Sequence, residues 1–234
     1  MKKTAIMQPY FLPYIGYWQL IGAVDEFVVY DNIEYTKKGW FNRNRMLENG
    51  HDRLFTIPVK KDSDYLDVVE RGLSDEAAKE NVRTLRIIQA NYRKAPHYAE
   101  AYPLIERCFM YEEKNLFEYI FHAIREVCDY LDIGTKLTVS STVQADHELK
   151  GDKKVMAICK ALGTDVYINA IGGTGLYDRA EFAGNGLDLK FIKAKAVEYA
   201  QFGQPFVPWL SILDVLMFND KTTVQTFLKE YELV

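Results

Sequence analysis

The sequence has few of the features that assign a protein to a functional class directly. Its 234 residues include three cysteines, none in a Cys-x-x-Cys pair, so neither a disulfide framework nor a structural zinc site is indicated. No run approaches the roughly 18 apolar residues of a membrane span. The first residues hold fewer apolar side chains than the roughly 7–15 of a secretory signal peptide. We therefore expect a reduced, cytoplasmic protein without membrane insertion.

Charge and known motifs exclude further classes. The formal net charge is -4 and the pI about 5.7, which argues against a large nucleic-acid footprint. The four histidines lack metal-ligand spacing, so no metal site is predicted. The chain has no Gly-x-Ser-x-Gly elbow, no Gly-x-Gly-x-x-Gly pattern and no Walker motif. A serine or cysteine hydrolase and a standard dinucleotide site are therefore disfavoured.

Aromatic residues are abundant instead. They make up 14% of the chain, with 16 tyrosines. Tyrosine combines ring area with a hydroxyl group, so a tyrosine-rich chain often lines wet pockets or interfaces. An aromatic-rich core explains the same composition, and the two readings stay open at this level.

Strand and helix patterns alternate along the chain. An apolar run at 4–8, a helix starting around 14–16 and a strand at 25–32 form a βαβ unit. Later strands are predicted at 53–61, 136–142, 165–173 and 187–194, and helices at 74–92, 115–133 and 151–163. Pro103 is expected to limit its helix at Tyr102, and both segments of the last forty residues read as helical.

This order predicts an α/β fold with a mainly parallel sheet flanked by helices, Rossmann-like in layout. The helical end of the chain suggests a division into a ligand-binding domain, 1–200, and a C-terminal helical extension, 201–234, packed on it.

Ligands of parallel sheets bind beyond the carboxyl ends of the strands. The first segment at such a place is "QPYFLPYIGY", stiffened by two prolines. Gly16 lets a ligand approach the backbone, and Gln8 can read a polar edge. Tyr10, Tyr14 and Tyr17 offer flat faces with hydroxyl tips. This turn suits a nucleotide or a sugar, or it packs on its own domain.

The second segment, "DNIEYTKKGWFNRNR", is the best anion site in the sequence. Arginine binds phosphate or carboxylate in bidentate fashion and lysine acts as a point charge. Asp31 at the strand end is assigned to a ribose hydroxyl or a metal, and Trp40 and Asn42 are assigned to the ligand. A solvated charged face is the alternative. The cations assigned to phosphate are Lys37, Lys38, Arg43 and Arg45.

Two later segments give weaker signals. The hydroxyl run at 140–142 either binds a polar ligand or caps the next segment. Gly172 and Gly173 follow a predicted strand, where glycine permits backbone contact with a ligand. Together with Tyr177 they are predicted to close the wall opposite the first segment, although an ordinary turn has the same composition.

The unusual motifs resemble one family. "QPYFLPYIGYWQLI", "DEFVVYDNIEYTKKGWFNRNRM", "TIPVKK", "ALGTDVYINAIGGTGLYD" and "LSILDVLMFND" look like the WbqC-like family, in order from about residue 4 to 220. The resemblance implies a bacterial protein associated with gene clusters for O-antigen (lipopolysaccharide) and other surface polysaccharides. Aminoacyl or acyl decoration of an amino sugar would fit that setting.

A more distant likeness is to nucleotidyltransferases, whose first strand leads into a His-x-Gly-His-type turn that grips ATP phosphates. Here Tyr14 and Tyr17 stand around Gly16 where that motif has histidines. Tyrosine cannot carry positive charge to a leaving phosphate, so the basic cluster would have to supply it. The likeness supports a fold more than an activity.

The leading hypothesis is a transferase of surface-glycan biosynthesis that binds a nucleotide or nucleotide-linked amino sugar and transfers an aminoacyl, acyl or nucleotidyl group. Tyr17, as a proton relay, Lys38 and Arg43 are its candidate catalytic residues. ATP or another nucleotide with magnesium is left open as cofactor, and a homo-oligomer or a biosynthetic partner enzyme as partner. The competing hypothesis is a non-catalytic nucleotide- or glycan-binding scaffold.

Overall fold

A mostly parallel six-stranded sheet forms the centre of the protein. The computed structural model describes residues 1–203 and 205–234. The strands in these residues are β1 (Lys3–Met7), β2 (Glu26–Val29), β3 (Arg43–Glu48), β4 (His51–Thr56), β5 (Lys136–Val139), β6 (Val166–Ala170), β7 (Asp188–Ala194) and β8 (Tyr231–Leu233). The helices are α1 (Ile15–Gly22), α2 (Ala77–Tyr92), α3 (Tyr98–Phe109), α4 (Leu116–Tyr130), α5 (Gly151–Ala161), α6 (Arg179–Gly184), α7 (Ile212–Phe218) and α8 (Lys221–Phe227).

The strand order of the sheet is β5-β2-β1-β6-β7-β8. All neighbours pair in parallel except β8, which runs antiparallel to β7. The predicted α/β class with a mainly parallel, helix-flanked sheet is therefore confirmed. No helix in the described ranges is long and apolar enough to span a membrane.

The topology defines a switch point between β1 and β6. From β1 the chain moves outward to β2 and then β5, and it later returns to β6 on the other side of β1. The connections after β1 and β6 therefore leave the sheet in opposite directions. Ligands of open parallel sheets bind at this kind of crevice, outside the carboxyl ends of the strands.

The two faces of the sheet are covered by different helices, because successive strand residues point to opposite sides. Ala5 and Phe27 join a large core formed with α1, α2, α3, α4 and α7. Ile6 and Val28, one residue further along, join a smaller core with α5 and α6. The interior strand β2 is buried over its whole length, as expected for a strand covered on both faces.

Helix α4 shows how local signals set an element. Asn115 at its N-cap accepts a hydrogen bond from the Glu118 backbone N–H at 3.1 Å. An apolar stripe then repeats at helical spacing, and its residues, such as Phe117, Ile120 and Ile124, are buried. The helix predicted for 115–133 is confirmed with shorter ends.

Helix α3 corrects the prediction for Pro103. The helix continues through the proline to Phe109 instead of ending at Tyr102. Proline removes one backbone donor and crowds the preceding turn. Beyond it, Leu104, Ile105 and Cys108 are buried. We infer that burial of this face outweighs the lost hydrogen bond.

Two further segments differ from their predictions. Residues 43–48, where no strand is predicted, form β3, which pairs antiparallel with β4 outside the main sheet. Residues 231–233, read as helix, form β8 at the sheet edge. The three-residue edge strand β8 is stabilised by its partner β7. No local sequence pattern predicts this contact. The boundary at residue 200 stays a prediction.

Candidate functional site

Two of the openings at the carboxyl edge of the sheet differ in character. The polar crevice has a volume of about 650 Å³ and lies beyond β2 and β6, beside the start of α5. The aromatic groove has a volume of about 350 Å³ and lies beside the turn from β1 to α1. The residues lining the groove are Tyr10, Pro13, Tyr14, Trp40, Asn44, Arg45 and Trp209.

A buried hydrogen-bond network stands beside the polar crevice. Asp31 follows β2 and is almost fully buried. Its Oδ1 accepts from the Ser140 hydroxyl at 2.6 Å and from the Ser141 backbone N–H at 2.9 Å. This network joins the ends of β2 and β5 and holds Asn32 in place. The backbone carbonyl of Asn32 faces helix α5. The hydroxyl run at 140–142 thus orders the edge of the sheet.

Lys154 is the most unusual residue of the crevice. It lies on α5 beside Val155, Ile158 and Cys159, on the apolar face of that helix, and only 7% of its surface is exposed. Its Nζ donates to the Asn32 carbonyl at 3.1 Å and lies 5.2 Å from the centre of the Tyr30 ring. Among the described residues no carboxylate oxygen comes within 4.0 Å of it.

The environment of Lys154 lowers its pKa. Burial is the main cause, and the negative charges of Asp67, Asp31 and Glu148 oppose it. Perturbed titratable groups inside a cleft are candidates for function. Lys154 therefore combines burial, a lowered pKa and direct access to the crevice, which it lines.

Tyrosines and a histidine complete the walls. Burial raises the pKa of Tyr30 to about 12, with nearby Tyr177 contributing. His147 Nδ1 lies 3.0 Å from Asn32 Nδ2, and its Nε2 lies 2.9 Å from the Val143 carbonyl. Because an amide nitrogen only donates and a carbonyl only accepts, Nδ1 is the acceptor and Nε2 the donor in these two contacts. The histidine is therefore held as a fixed wall.

Negative charge dominates the crevice. Four carboxylates line it against two lysines: Glu34, Asp67, Glu148 and Asp152 against Lys150 and Lys154. Burial raises the pKa of Asp67, with Glu70, Asp31 and Glu34 adding to the rise and Lys154 opposing it. The crevice therefore suits hydroxyl and ammonium groups better than bare phosphates.

The aromatic groove has a different chemistry. Tyr14, the N-cap of α1, faces Trp209 edge to face with 5.8 Å between ring centres. Arg45 lies over Trp40, with 5.1 Å from its guanidinium carbon to the ring centre. Its Nε also lies 3.5 Å from Asp52 Oδ2 on the neighbouring strand. The residues lining the groove include no carboxylate among those that the structure describes.

Gly16 makes room for this arrangement. A Cβ at position 16 would lie 2.4 Å from the Tyr14 ring. Any larger residue there would push the ring away from its place beside Trp209. The predicted role of Gly16, close approach of a ligand to the backbone, stays a prediction, because the space above it is filled by Tyr14.

Backbone hydrogen bonds hold Trp209 against the turn after β1. The Ser211 N–H donates to the Arg45 carbonyl at 2.8 Å, and the Ile212 N–H donates to the Pro13 carbonyl at 2.9 Å. The Ser211 hydroxyl donates to the Leu12 carbonyl at 2.6 Å. Segments remote in sequence thus meet in one groove.

The predicted phosphate-binding cations do not converge. Lys37 forms an exposed ion pair with Asp64. Arg43 donates to the carbonyls of Gly39 and Lys38, in its own loop. Lys38 is exposed. Of the four predicted cations, Arg45 lines the aromatic groove, and phosphate binding by Lys37, Lys38 and Arg43 stays a prediction.

Three other predicted residues make internal contacts. The Tyr17 ring is buried, and its hydroxyl donates to the Gln8 carbonyl at 3.0 Å. Gln8 Oε1 accepts from the Tyr10 hydroxyl at 2.8 Å. Asn42 is buried, accepting from Tyr35 and donating to the Ile57 carbonyl. A proton relay at Tyr17 stays a prediction that the burial of its ring does not favour.

The glycines after β6 differ from each other. Gly173 is buried, and a Cβ there would lie 3.2 Å from the Asn169 side chain, whereas Gly172 faces open space. Tyr177, which follows them, does line the crevice. The structure therefore brings Tyr177 to the crevice edge beside the Asp31 network, and Tyr10, Trp40 and Arg45 to the groove.

Sequence reasoning missed several crevice residues, and Lys154 is the most informative of them. A lysine inside the apolar stripe of α5 is unusual and could have marked it. Tyr30, Asp67 and Glu148 carry no such signal, because nearby acids and tyrosines are common throughout the chain. Among the described residues no group of three His, Cys, Asp or Glu side chains is placed to hold a metal ion.

Comparison with known proteins identifies the family. The model of the WbqC-like protein family matches residues 8–226. This chain belongs to the WbqC-like family. A relative, the uncharacterized protein Rv1507c of Mycobacterium tuberculosis, is 31% identical over 225 residues, which cover 94% of each chain. No solved structure matches the chain. The WbqC-like family match includes every residue that lines the polar crevice and the aromatic groove.

Proposed function

We propose that this WbqC-like protein is a transferase of bacterial surface-glycan biosynthesis that binds the sugar of a nucleotide-linked amino sugar in the polar crevice. The observation that carries the proposal is the chemistry of that crevice at the carboxyl edge of the sheet: an excess of carboxylates, three tyrosines and one buried lysine. The group transferred would be an aminoacyl, acyl or nucleotidyl group.

The crevice chemistry matches an amino sugar. Carboxylates accept hydrogen bonds from hydroxyl and ammonium groups, and Glu34, Asp67 and Glu148 surround the opening. The rings of Tyr30 and Tyr177 add apolar surface for the sugar, with polar hydroxyl tips. A polyphosphate alone would meet net negative charge, so we assign the sugar to this opening.

Lys154 would position the ligand and move a proton. Its ammonium has three donors, of which one is used by the Asn32 carbonyl. The other two are available to a ligand oxygen. A lowered pKa also makes proton release from Lys154 easier than from an exposed lysine. When a sugar amine attacks an activated carbonyl and expels the leaving group of the donor, the amine loses a proton, and Lys154 in its deprotonated form would accept that proton.

A binding scaffold is the second candidate function. Burial raises the pKa of all three cysteines, to about 12 for Cys128 and Cys159 and higher for Cys108. Cysteine is therefore not activated as a nucleophile in this chain. A protein that binds the sugar and delivers it to a biosynthetic partner enzyme would need no nucleophile.

A thermal-shift panel with matched variants tests the proposal. The ligands are nucleotide-linked amino sugars, their N-acetylated forms, ATP with and without magnesium, acyl-CoA and aminoacyl donors. A ligand at 100 times its Kd adds about 2.7 kcal/mol of stability. We expect stabilisation by the amino sugars, lost in Lys154→Met and retained in Lys153→Met, because Lys153 is the exposed neighbour of Lys154 on the same helix.

Turnover of a stabilising sugar with any donor supports the transferase, and binding without turnover supports the scaffold. If no amino sugar binds, or if Lys154→Met binds as well as the unaltered protein, the crevice is not the sugar site and the proposal fails.

A further inference from the structure

We infer that the aromatic groove is a separate binding site for the nucleoside diphosphate part of a ligand, with the base stacked on Trp209 and the phosphates on Arg45. The inference shares with the proposed function the expectation of a nucleotide-linked ligand, but the groove could bind a nucleotide in a chain without transferase activity. It stands on three observations: exposed aromatic faces, an excess of positive charge and strained backbone.

The first observation is the exposure of the rings. Trp209 is 67% exposed and Trp40 is 38% exposed, whereas the third tryptophan, Trp18, is fully buried. Large apolar side chains that face solvent together mark binding sites more often than isolated ones do. Every nucleobase has a flat face, and stacking on an aromatic side chain is sequence-tolerant. Trp209, held edge to face by Tyr14, offers such a surface.

The second observation is the charge of the groove. Arg45 lines it, and no carboxylate does among the described residues. The guanidinium of Arg43 also lies over Trp40, at 5.6 Å from the ring centre. Arginine binds phosphate in bidentate fashion and stacks on aromatic rings at the same time. The polar crevice carries the opposite charge, so the two openings would take different parts of one ligand or two different ligands.

The third observation is strain. Trp209 has φ +62° and Leu12, in the turn after β1, has φ +45°. Residues other than glycine rarely adopt this region, and such strain gathers at ligand sites when the surroundings hold it in place. Here they do: the Leu12 carbonyl accepts from the Ser211 hydroxyl and from Asn44 Nδ2 at 2.9 Å. The strained backbone at Trp209 thus presents the most exposed tryptophan of the chain to the groove that Arg45 also lines.

Asp52 provides a further way to test the inference. It lies 3.5 Å from the Arg45 Nε and would compete with a phosphate for the guanidinium. Removing its charge should therefore strengthen nucleotide binding. A purely structural pair would not respond to a ligand in this way.

The experiment titrates the full chain with UDP and ADP, and with pyrophosphate and uridine as the separate halves. Binding is measured by calorimetry and by tryptophan fluorescence. We expect both diphosphates to quench the fluorescence and to bind at least tenfold more tightly than pyrophosphate or uridine. In Trp209→Phe the quenching should fall to the smaller part contributed by Trp40, because Trp18 is buried and Trp40 is partly covered by arginine.

Affinity variants complete the test. Trp209→Ala should weaken binding about 5- to 150-fold, the range of base stacking. Arg45→Gln should weaken it tenfold or more, and Asp52→Asn should strengthen it about two- to fivefold. The controls are Arg53→Gln, on the same hairpin and paired with Glu48, and Phe202→Ala, an exposed aromatic outside the groove. Both should bind as the unaltered chain does.

The outcomes separate this inference from the proposed function. If UDP and ADP do not bind, or bind equally to Trp209→Ala and Arg45→Gln, the groove is not a nucleotide site. If their binding is lost instead in Lys154→Met, the nucleotide lies in the polar crevice and this inference is overturned. Loss of amino-sugar binding in Lys154→Met with UDP binding intact supports both assignments.

Discussion

Glu26 and Asp31 lie at opposite ends of strand β2, and their carboxylates have partners of different kinds. Glu26 begins β2, is 2% exposed and accepts from Lys2 at 2.7 Å and Lys136 at 2.9 Å. Asp31, just past the other end, is held by a hydroxyl and a backbone amide. In the described residues no cation comes within 4.0 Å of it. The Glu26 carboxylate is therefore paired with cations within the fold, and the Asp31 carboxylate is not.

The difference extends along the two edges of the sheet. At the amino edge, the Lys3 N–H donates to Asp25 at 2.8 Å and the Lys2 N–H donates to Asp165 at 2.6 Å. At the carboxyl edge, Lys154 lies near several acids without forming an ion pair with them. The amino edge is built for stability. The carboxyl edge keeps charged groups uncompensated, as expected where a ligand supplies the missing partners.

The largest effect is expected at the amino edge. Burial tends to raise the pKa of Glu26, but hydrogen bonds from Lys136, Lys2 and Thr138 outweigh it and lower the pKa from 4.5 to about 2. The carboxylate therefore contributes about 3 kcal/mol of stability above pH 4.5, which is lost as the pH falls towards 2. Glu26→Gln should cost ~2–3 kcal/mol at pH 7, measured by urea denaturation.

The control for this variant is Asp188→Asn, whose partner Lys190 is exposed. It should change stability by less than about 1 kcal/mol, as exposed pairs do. Equal losses of stability in the two variants would contradict the larger contribution expected for Glu26.

At the carboxyl edge, Lys154→Met should not destabilise the protein and should stabilise it by up to about 1 kcal/mol at pH 7. The reason is that a desolvated amine without a paired carboxylate is unfavourable. A lowered folded-state pKa means that the native state binds fewer protons. The stability of the unaltered chain should therefore rise with pH through the window that ends at 10.5, and this rise should vanish in Lys154→Met. A loss above 1 kcal/mol would show that Lys154 is a structural cation.

The smallest effect is expected for Asp67→Asn. Because burial raises the folded-state pKa of Asp67, the native state holds its proton longer than the unfolded chain does. Stability should fall as the pH rises from 3.8 through the folded-state pKa, and the asparagine variant should lack this fall. Near pH 7 the variant should be more stable by a few tenths of a kcal/mol, seen as a higher Tm. A lower Tm at neutral pH would contradict this.

Elements with a strong local pattern could be predicted from the sequence. Helix α4 has a capping asparagine and a full apolar stripe, and strand β2 is a short apolar run between acids. Pro103 and β8 could not be predicted, because in both cases a tertiary contact decides the outcome: burial of the face beyond the proline, and pairing with β7. The same holds for β3, which needs β4 as its partner.

The candidate site divides in the same way. The sequence indicated that the segments after β1, β2 and β6 carry function, because glycines, tyrosines and charges gather there. It could not show that Arg45 faces a groove while Arg43 is held by its own loop. Both arginines lie on the same side of β3, so the choice depends on the loop carbonyls that accept from Arg43 and on Trp209, more than 160 residues away. Lys154 was visible only as a lysine in an apolar stripe.

By itself, the sequence determined the α/β class and the mainly parallel sheet, since these follow from short-range patterns of burial and from the handedness of βαβ units. Only the tertiary structure decided the pairing of charges. Whether a carboxylate is paired with lysines, as Glu26 is, or held by a hydroxyl and a backbone amide, as Asp31 is, depends on a few ångströms between segments that lie far apart in the chain. The aromatic turn after β1 likewise forms one wall of a groove only because the fold places Trp209 and Arg45 beside it.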